Sequence, residues 1–130
     1  MNTMLAASGT LALLIGIVHS VLGEVLMFRH LRRGGFVPTL DATPLRERHV
    51  RILWATWHLA TVFGWAFAGI LFAFALSPGA PPSRALVVNS VVFANLAGSI
   101  LVLVGTKGRH PGWFGLLLVA VLAWYGAGGA

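Results

Sequence analysis

Four long apolar stretches restrict the folds that are open to this chain. They cover residues 5–28, 52–76, 85–105 and 111–127, and Glu24 is the only charged side chain inside them. The whole chain is 58% hydrophobic and 9% charged, whereas about a quarter of the residues are charged in ordinary soluble domains. A water-exposed fold of this size cannot cover so much apolar surface. The sequence therefore predicts an all-α integral membrane protein.

The lengths of these stretches fit helices that cross a bilayer. The first has about 24 residues, or about 36 Å at the helical rise, which exceeds the ~30 Å hydrocarbon core. Short connections favour an antiparallel up-down bundle of four transmembrane helices, forming a single domain over residues 1–130. Residues 1–23 contain no Lys or Arg, so we expect a retained span rather than a signal peptide. Thr43-Pro44 is typical of a helix start, so the second helix is expected to begin near residue 44, in the cytoplasm.

The basic residues predict an orientation. Six of the nine Lys and Arg residues lie between Arg29 and Arg51, in the first connection, and the third connection adds two more. The positive-inside rule then places both connections in the cytoplasm and both termini on the outer side of a bacterial inner membrane. We expect no nucleic-acid partner, because the clustering is explained by topology. The predicted cytoplasmic basic surface suits anionic lipid headgroups, with an anionic substrate or an acidic protein as the alternative; it contains Arg29, Arg32, Arg33, Arg46, Arg48, Arg51, Lys107 and Arg109.

Small side chains recur every four residues in the first two spans. Such faces allow another helix to approach closely, and they predict packing against other membrane helices in a homo- or hetero-oligomer. The first series is Ser8, Ala12, Gly16, Ser20 and Glu24, and the second is Thr56, Ala60, Gly64 and Ala68.

Polar side chains inside three of the spans form the candidate site. They lie at similar depths in the cytoplasmic half of the predicted bundle, and they are His19, Glu24, His58, Asn95 and Ser99. An ionised carboxylate in hydrocarbon needs a partner or water, so Glu24 is expected to pair with a histidine or with Arg51, or to reach water near Arg29. A histidine–glutamate pair in such a place is also a physical basis for proton-linked function.

The second span carries a stripe of polar and aromatic residues at steps of three and four. Because such residues share one face of a helix, the stripe is expected to face protein rather than lipid. It contains Glu47, Arg51, Trp54, His58, Thr61 and Trp65. Two tryptophans of this region, Trp54 and Trp57, are expected in an interfacial aromatic belt.

Two histidines on different spans also allow a cofactor hypothesis. Neutral imidazoles are axial ligands of haem, so His19 and His58 are candidates for binding haem, or quinone between them. A zinc site needs a third ligand, and Glu24 lies about 140° around the helix from His19. There is no cysteine, and we expect no dedicated metal site.

Three motifs carry a family resemblance: His19-Ser20-x-x-Gly23-Glu24, Trp54-x-x-Trp57-His58, and the run from Gly105 to Trp113. On these the chain resembles small, uncharacterised bacterial four-span membrane proteins, a resemblance that implies four spans but no activity. The glutamate in the first span is also similar to that of small multidrug resistance transporters. Here it lies near the cytoplasmic end and the charge bias is strong, so no role is carried over.

These features leave three functions open. The first is a non-enzymatic subunit or accessory protein that packs against other membrane helices. The second is a small-molecule or proton-linked binding or transport protein that uses Glu24 and His58, and the third is a redox module that binds haem or quinone. No nucleophile stands beside a base at a convincing spacing, so no catalytic residue is predicted and an enzyme is not favoured.

Overall fold

The computed structural model describes residues 1–77, 79–80 and 83–128. Over these residues the fold is all-helical, and its four α-helices are α1 (Thr3–Leu26), α2 (Glu47–Leu76), α3 (Arg84–Thr106) and α4 (Gly112–Gly128), with a 3-10 turn at Phe28–Leu31 after α1. This confirms the predicted helical fold class. By length and composition α1, α2 and α3 are able to cross a membrane, whereas α4 is a shorter apolar helix.

Two of the helices begin at side-chain caps that the sequence supplies. The Asn2 side chain accepts hydrogen bonds from the first turn of α1, and the Ser83 side chain does the same for α3. Such caps satisfy amide groups that have no partner within the helix. They explain why α1 begins at the extreme end of the chain and α3 directly after the second connection.

The start of α2 differs from the prediction. The helix begins at Glu47 rather than near residue 44, and the Glu47 amide donates to the carboxylate of Asp41. Ala42 and Leu45 pair with each other through their backbones, which makes a tight turn around Pro44. The Asp41 carboxylate therefore takes the capping role that Thr43 was expected to have.

Each helix packs closely against its neighbour in the chain: α1 on α2, α2 on α3 and α3 on α4. The start of α1 meets the end of α2, where the Asn2 amide donates to the Ala75 carbonyl at 2.8 Å. At the other end of α2, Trp54 and Ala55 pack with Phe28 and Val102 in a small core. The candidate site lies beside this core.

Glycines make the close contact between α1 and α2. The three buried residues of α1 are Gly9, Gly16 and Gly23, and each lies against an aromatic ring of α2. Residues seven apart stay within about 20° of one another around a helix, so these glycines form a continuous seam. We call Gly9, Gly16 and Gly23 the glycine seam.

The predicted four-residue series follows this seam only in part. Gly16 is buried, and Ser20 and Glu24 contact α2, but Ser8 is exposed. A step of four residues turns about 40° beyond a full circle, so Ser8 and Glu24 are about 160° apart around the helix. One series of that spacing cannot stay on one face over 16 residues.

Large apolar side chains cover the outer surfaces of the helices. Leu14 of α1, Phe93 of α3 and Leu122 of α4 are 54%, 52% and 62% exposed. An apolar exterior on helices of this length is the pattern of a protein that lies in lipid. The fold therefore suggests a membrane protein.

Candidate functional site

Glu24, in the last turn of α1, is the centre of a cluster of hydrogen bonds. Its Oε1 accepts from Trp54 Nε1 at 2.7 Å and from His58 Nε2 at 3.0 Å. Its Oε2 is paired with the guanidinium of Arg32. The carboxylate is thus paired on both oxygens, and its side chain is 26% exposed. Of the partners expected from the sequence, His58 is in contact, whereas the arginine is Arg32 rather than Arg51 or Arg29.

The segment after α1 holds Arg32 in place. The amides of Thr39 and Leu40 both donate to the Leu31 carbonyl, at 2.8 and 2.9 Å, which folds this segment back on itself. The Arg32 guanidinium lies over the ring of Phe36, 5.6 Å from its centroid, and Phe36 packs edge-on against Trp54. The arginine is therefore directed at Glu24 by backbone bonds and by aromatic packing together.

The middle of the α2 stripe contacts α1 through Trp54, His58 and Thr61, whereas the sequence predicts only that the stripe faces protein. Trp54, His58 and Thr61 follow at steps of four and three, so their side chains leave the helix on one side. Trp54 is only 2% exposed and packs edge-on against His58 at 5.0 Å between ring centroids. The expectation that Trp54 belongs to an interfacial belt was wrong, because its indole N–H is the buried donor that Glu24 uses.

A chain of polar groups continues from His58 toward the middle of the two helices. Ser20 Oγ lies 2.9 Å from His58 Nδ1 and 2.8 Å from Thr61 Oγ1. The Thr61 hydroxyl is also 3.2 Å from the Gly16 carbonyl, to which it is able to donate. Glu24, His58, Ser20 and Thr61 thus form one connected series, which we call the polar chain.

The polar chain has two consistent arrangements of hydrogens. When His58 is neutral and donates from Nε2 to Glu24, its Nδ1 is an acceptor and Ser20 donates to it. When His58 is protonated, Nδ1 donates to Ser20, whose hydroxyl then donates to Thr61, while Thr61 donates to the Gly16 carbonyl. A proton gained or lost at His58 therefore reverses the hydroxyl of Ser20 without moving a heavy atom.

Thr61 ends the polar chain at a groove between α1 and α2. The groove has a volume of about 310 Å³ and small side chains on both walls. A Cβ built on Gly64 would meet no atom within 4 Å, so this part of the groove is open. Its lining consists of Ala12, Ile15, Gly16, His19, Ala60, Thr61 and Gly64.

His19 is held by α2 but makes no hydrogen bond to Glu24. Its ring stacks on Trp57 with centroids 4.4 Å apart and planes 7° apart. His19 Nε2 donates to the Trp57 carbonyl at 3.2 Å, and Trp57 Nε1 donates to the His19 carbonyl at 2.9 Å. Trp57, like Trp54, is used between helices rather than in the expected belt.

These contacts do not fit haem ligation by the two histidines. Both ring nitrogens of His58 have partners, Glu24 and Ser20, so His58 has no nitrogen left for an iron atom. Axial ligation needs a free imidazole nitrogen directed at the iron. In the described parts of the chain, no three His, Cys, Asp or Glu side chains come together as metal ligands either.

The two candidate site residues on α3 have other partners. Asn95 donates to the Val91 carbonyl of its own helix at 2.9 Å, and Ser99 donates to the Trp113 carbonyl at 2.7 Å. Neither makes a hydrogen bond to Glu24 or His58 within residues 1–77, 79–80 and 83–128. The structure thus joins Glu24 and His58, places His19 near them, and uses Ser99 in the contact between α3 and α4.

The predicted basic surface is only partly a surface. Arg51 is buried, with 6% of its area exposed, and Arg32 is half-buried against Glu24. The other six basic side chains are exposed, and they are Arg29, Arg33, Arg46, Arg48, Lys107 and Arg109. Six of the eight predicted surface cations are therefore exposed, and Arg32 and Arg51 face the interior.

Replacing Trp54 with Phe tests the indole hydrogen bond to Glu24. The smaller ring loses one donor and also leaves a gap at a fully buried position, so we expect the free energy of unfolding in detergent to fall by at least about 1.5 kcal/mol. Trp124→Phe is the matched control, because Trp124 is 63% exposed at the far end of α4. An equal change in both variants would show that the Trp54 N–H adds nothing specific.

The cluster joins a carboxylate, an imidazole and two hydroxyls in one connected series. The indole of Trp54 binds the same carboxylate oxygen as His58, and Arg32 binds the other oxygen. Comparison of the chain with known protein families, with curated proteins and with solved structures found no match.

Proposed function

We propose that this chain is a small membrane protein that binds a proton at the Glu24–His58 pair and couples it to a small molecule in the groove between α1 and α2. The observation that carries the proposal is the polar chain itself. It connects the ionisable pair, joined at 3.0 Å, to the groove through Ser20 and Thr61. Ionisable residues inside membrane helices commonly mark ion or proton pathways.

The hydrogen bonds of the Ser20 hydroxyl reverse direction when the charge of His58 changes. This reversal supports coupling between the proton and the groove rather than a purely structural role for the pair. A change of charge at His58 is transmitted to Thr61 through hydrogen-bond direction alone, and Thr61 borders the groove. A ligand that hydrogen-bonds to Thr61 therefore meets a differently oriented hydroxyl in each protonation state. That difference is what links the binding of two ligands.

The proposal includes a membrane orientation. Four spans with α4 as the short one, both termini outside and the basic connections in the cytoplasm of a bacterial inner membrane follow from the positive-inside rule. In this orientation Glu24 lies near the cytoplasmic surface and the groove lies deeper. The half-exposed Arg32–Glu24 pair then gives the polar chain access to cytoplasmic water.

Proton flux into liposomes tests the proposal. With a pH gradient across the membrane and a pH-sensitive dye inside, the wild-type protein is expected to conduct protons. Ser20→Ala interrupts the polar chain with little change in volume, so we expect flux to fall at least about tenfold, and Glu24→Gln to abolish the protein-dependent part. General acid–base relays lose effects of that size when one member is removed.

Ser90→Ala is the matched control for Ser20→Ala. Ser90 is half-buried on α3, and its hydroxyl donates only to the carbonyl of Leu86 in its own helix. Its flux is expected to equal that of the wild type. Protein-dependent flux that survives Glu24→Gln, or an equal decrease in both serine variants, would remove the proton-linked proposal.

A second candidate is an accessory subunit that packs against other membrane helices. The open wall of the groove favours it, because Ala60 is exposed and a Cβ on Gly64 meets nothing within 4 Å. Small side chains on an open helix face are the usual condition for close helix association in membranes. Flux that does not depend on Glu24 would leave this candidate as the better supported one.

A further inference from the structure

A second cavity lies at the basic end of the molecule, between the start of α2 and the turn that joins α3 to α4. Its volume is about 700 Å³, more than twice that of the groove. Five of its lining residues are cationic, and they come from both sides of the cavity: Arg46, Arg48 and Arg51 from α2 and the residue before it, and Lys107 and Arg109 from the turn. We call it the basic cavity.

The turn between α3 and α4 is built to face the basic cavity. Lys107 ends α3 in the left-handed conformation, with φ of 54°, and Gly108 follows with φ of 73°. The Gly108 amide donates to the Leu103 carbonyl at 2.9 Å, which closes the helix end in the way common for such caps. The reversal holds Lys107 and Arg109 on the wall opposite α2.

The two carboxylates in the wall do not neutralise this charge. Asp41 accepts from the Glu47 amide and thereby caps α2. Glu47 is paired with Arg51, but at 3.4 Å, and its side chain is 47% exposed. The cavity wall thus holds five cationic side chains and two carboxylates, and the Asp41 carboxylate already accepts a hydrogen bond from the backbone. The remaining positive charge faces the cavity.

Arg51 is the unusual member of this group. Its side chain is only 7% exposed, and its Nε is buried without a hydrogen-bond partner among residues 1–77, 79–80 and 83–128. Its two other contacts are long, at 3.4 Å to Glu47 and 3.4 Å to the Val104 carbonyl. A buried guanidinium with an unused donor costs free energy, and it borders a cavity large enough to hold an acceptor.

We propose that the basic cavity binds a phosphate-bearing ligand, with Arg51 at its base and Lys107 and Arg109 on the facing wall. Arginine binds phosphate through two parallel hydrogen bonds, and Nε is one of the donors that such a bond uses. The chemistry is the same whether the phosphate belongs to a lipid headgroup or to a soluble molecule. This inference does not depend on the Glu24–His58 proposal, since none of its residues belongs to the polar chain.

The test uses two probes on the full-length protein in phosphatidylcholine nanodiscs. Inorganic pyrophosphate, added to the solution and followed by calorimetry, represents the soluble source. Phosphatidylglycerol, mixed into the nanodiscs and followed by mass spectrometry of lipid that stays bound, represents the headgroup source. We expect Arg51→Gln to weaken binding at least about tenfold for whichever of the two probes occupies the cavity. This is the size of effect expected from losing a charge-assisted hydrogen bond.

Lys107→Gln and Arg109→Gln keep the proposal testable if Arg51→Gln fails to fold. Both residues are exposed, so the fold tolerates the change, and each is expected to weaken binding about threefold. Arg33→Gln is the matched control, because Arg33 is exposed and lies outside the cavity lining. If these substitutions weaken the binding of pyrophosphate, the ligand is a soluble phosphate compound. If they weaken only the binding of phosphatidylglycerol, the ligand is a lipid headgroup. Binding of neither probe, or an equal loss in Arg33→Gln, overturns the proposal.

Discussion

Replacing Glu24 with alanine is expected to lower the free energy of unfolding by about 3 kcal/mol. The substitution leaves three donors without their acceptor: the guanidinium of Arg32, the indole N–H of Trp54 and the imidazole N–H of His58. Removing one partner of a fully buried ion pair costs ~3–5 kcal/mol. The lower end applies because the Glu24 side chain is 26% exposed, so water reaches part of the site. Unfolding of the detergent-solubilised protein, followed by circular dichroism, measures the change.

Glu47→Ala is the control for Glu24→Ala. Glu47 is also a glutamate paired with an arginine, but its side chain is 47% exposed and the distance to Arg51 is 3.4 Å. Because Glu47 itself is solvated and the contact is long, we expect Glu47→Ala to cost about 1 kcal/mol, although Arg51 is buried. If both alanine variants lost the same stability, the three hydrogen bonds to Glu24 would add no more than one long contact to a half-exposed carboxylate.

A double-mutant cycle separates the arginine from the two α2 donors. Residues in direct contact show coupling energies of about 0.5–3 kcal/mol, so Glu24→Ala and Arg32→Gln are expected to be far from additive. The residual cost of Glu24→Ala in the Arg32→Gln background then belongs to Trp54 and His58. This cost is a matter of stability, and the Ser20→Ala flux measurement tests the proton-linked proposal separately.

Periodicity on α2 was sufficient to predict half of the candidate site. The spacing of Trp54, His58 and Thr61 defines one face wherever the helix packs, and the only carboxylate of the first span was the natural partner for an imidazole in lipid. The sequence could not show that the indole of Trp54 also donates to this carboxylate. Tryptophan at a helix end is common both in interfacial belts and in cores, and only the packing distinguishes them.

Depth alone was a poor guide to the rest of the site. The sequence predicts Asn95 and Ser99 at depths similar to Glu24 and His58, but Asn95 donates to a carbonyl of α3 itself and Ser99 to a carbonyl of α4. Depth along a helix follows from residue number, whereas direction depends on how each helix is rotated against its neighbours. Arg32 was missed as a partner for a different reason, because it lies in a segment without helical periodicity.

The contact between α1 and α2 shows the same difference between spacing and direction. The four-residue series of small residues was visible, but the buried seam is the seven-residue series Gly9, Gly16 and Gly23. Each of these glycines admits an aromatic ring of α2. Gly23 is the most constrained of the three, since the indole of Trp57 lies directly over its backbone.

Gly23→Ala is expected to lower the free energy of unfolding by about 2 kcal/mol. The new Cβ would overlap the indole of Trp57, whose Cδ1 and Cε2 would lie 2.7 Å away. The ring has no free direction in which to move, because it stacks on His19, packs edge-on against Phe28, and donates from Nε1 to the His19 carbonyl. Overpacking of this kind costs ~1–3 kcal/mol, and it exceeds the gain of about 1 kcal/mol from alanine in a helix.

Gly64→Ala has the opposite expected sign and serves as the control. Gly64 lies in the middle of α2, where a Cβ would meet no atom within 4 Å, so only the helix propensity changes and stability rises by about 0.5–1 kcal/mol. The stability of Gly16→Ala should fall between those two, because Trp65 above it is 37% exposed and loses only a hydrogen bond of 3.3 Å to the Leu13 carbonyl when it turns outward. Any other order of the free energies of unfolding of the three variants would mean that α1 and α2 are not held together at the glycine seam. The groove and the polar chain would then not depend on that seam for their shape.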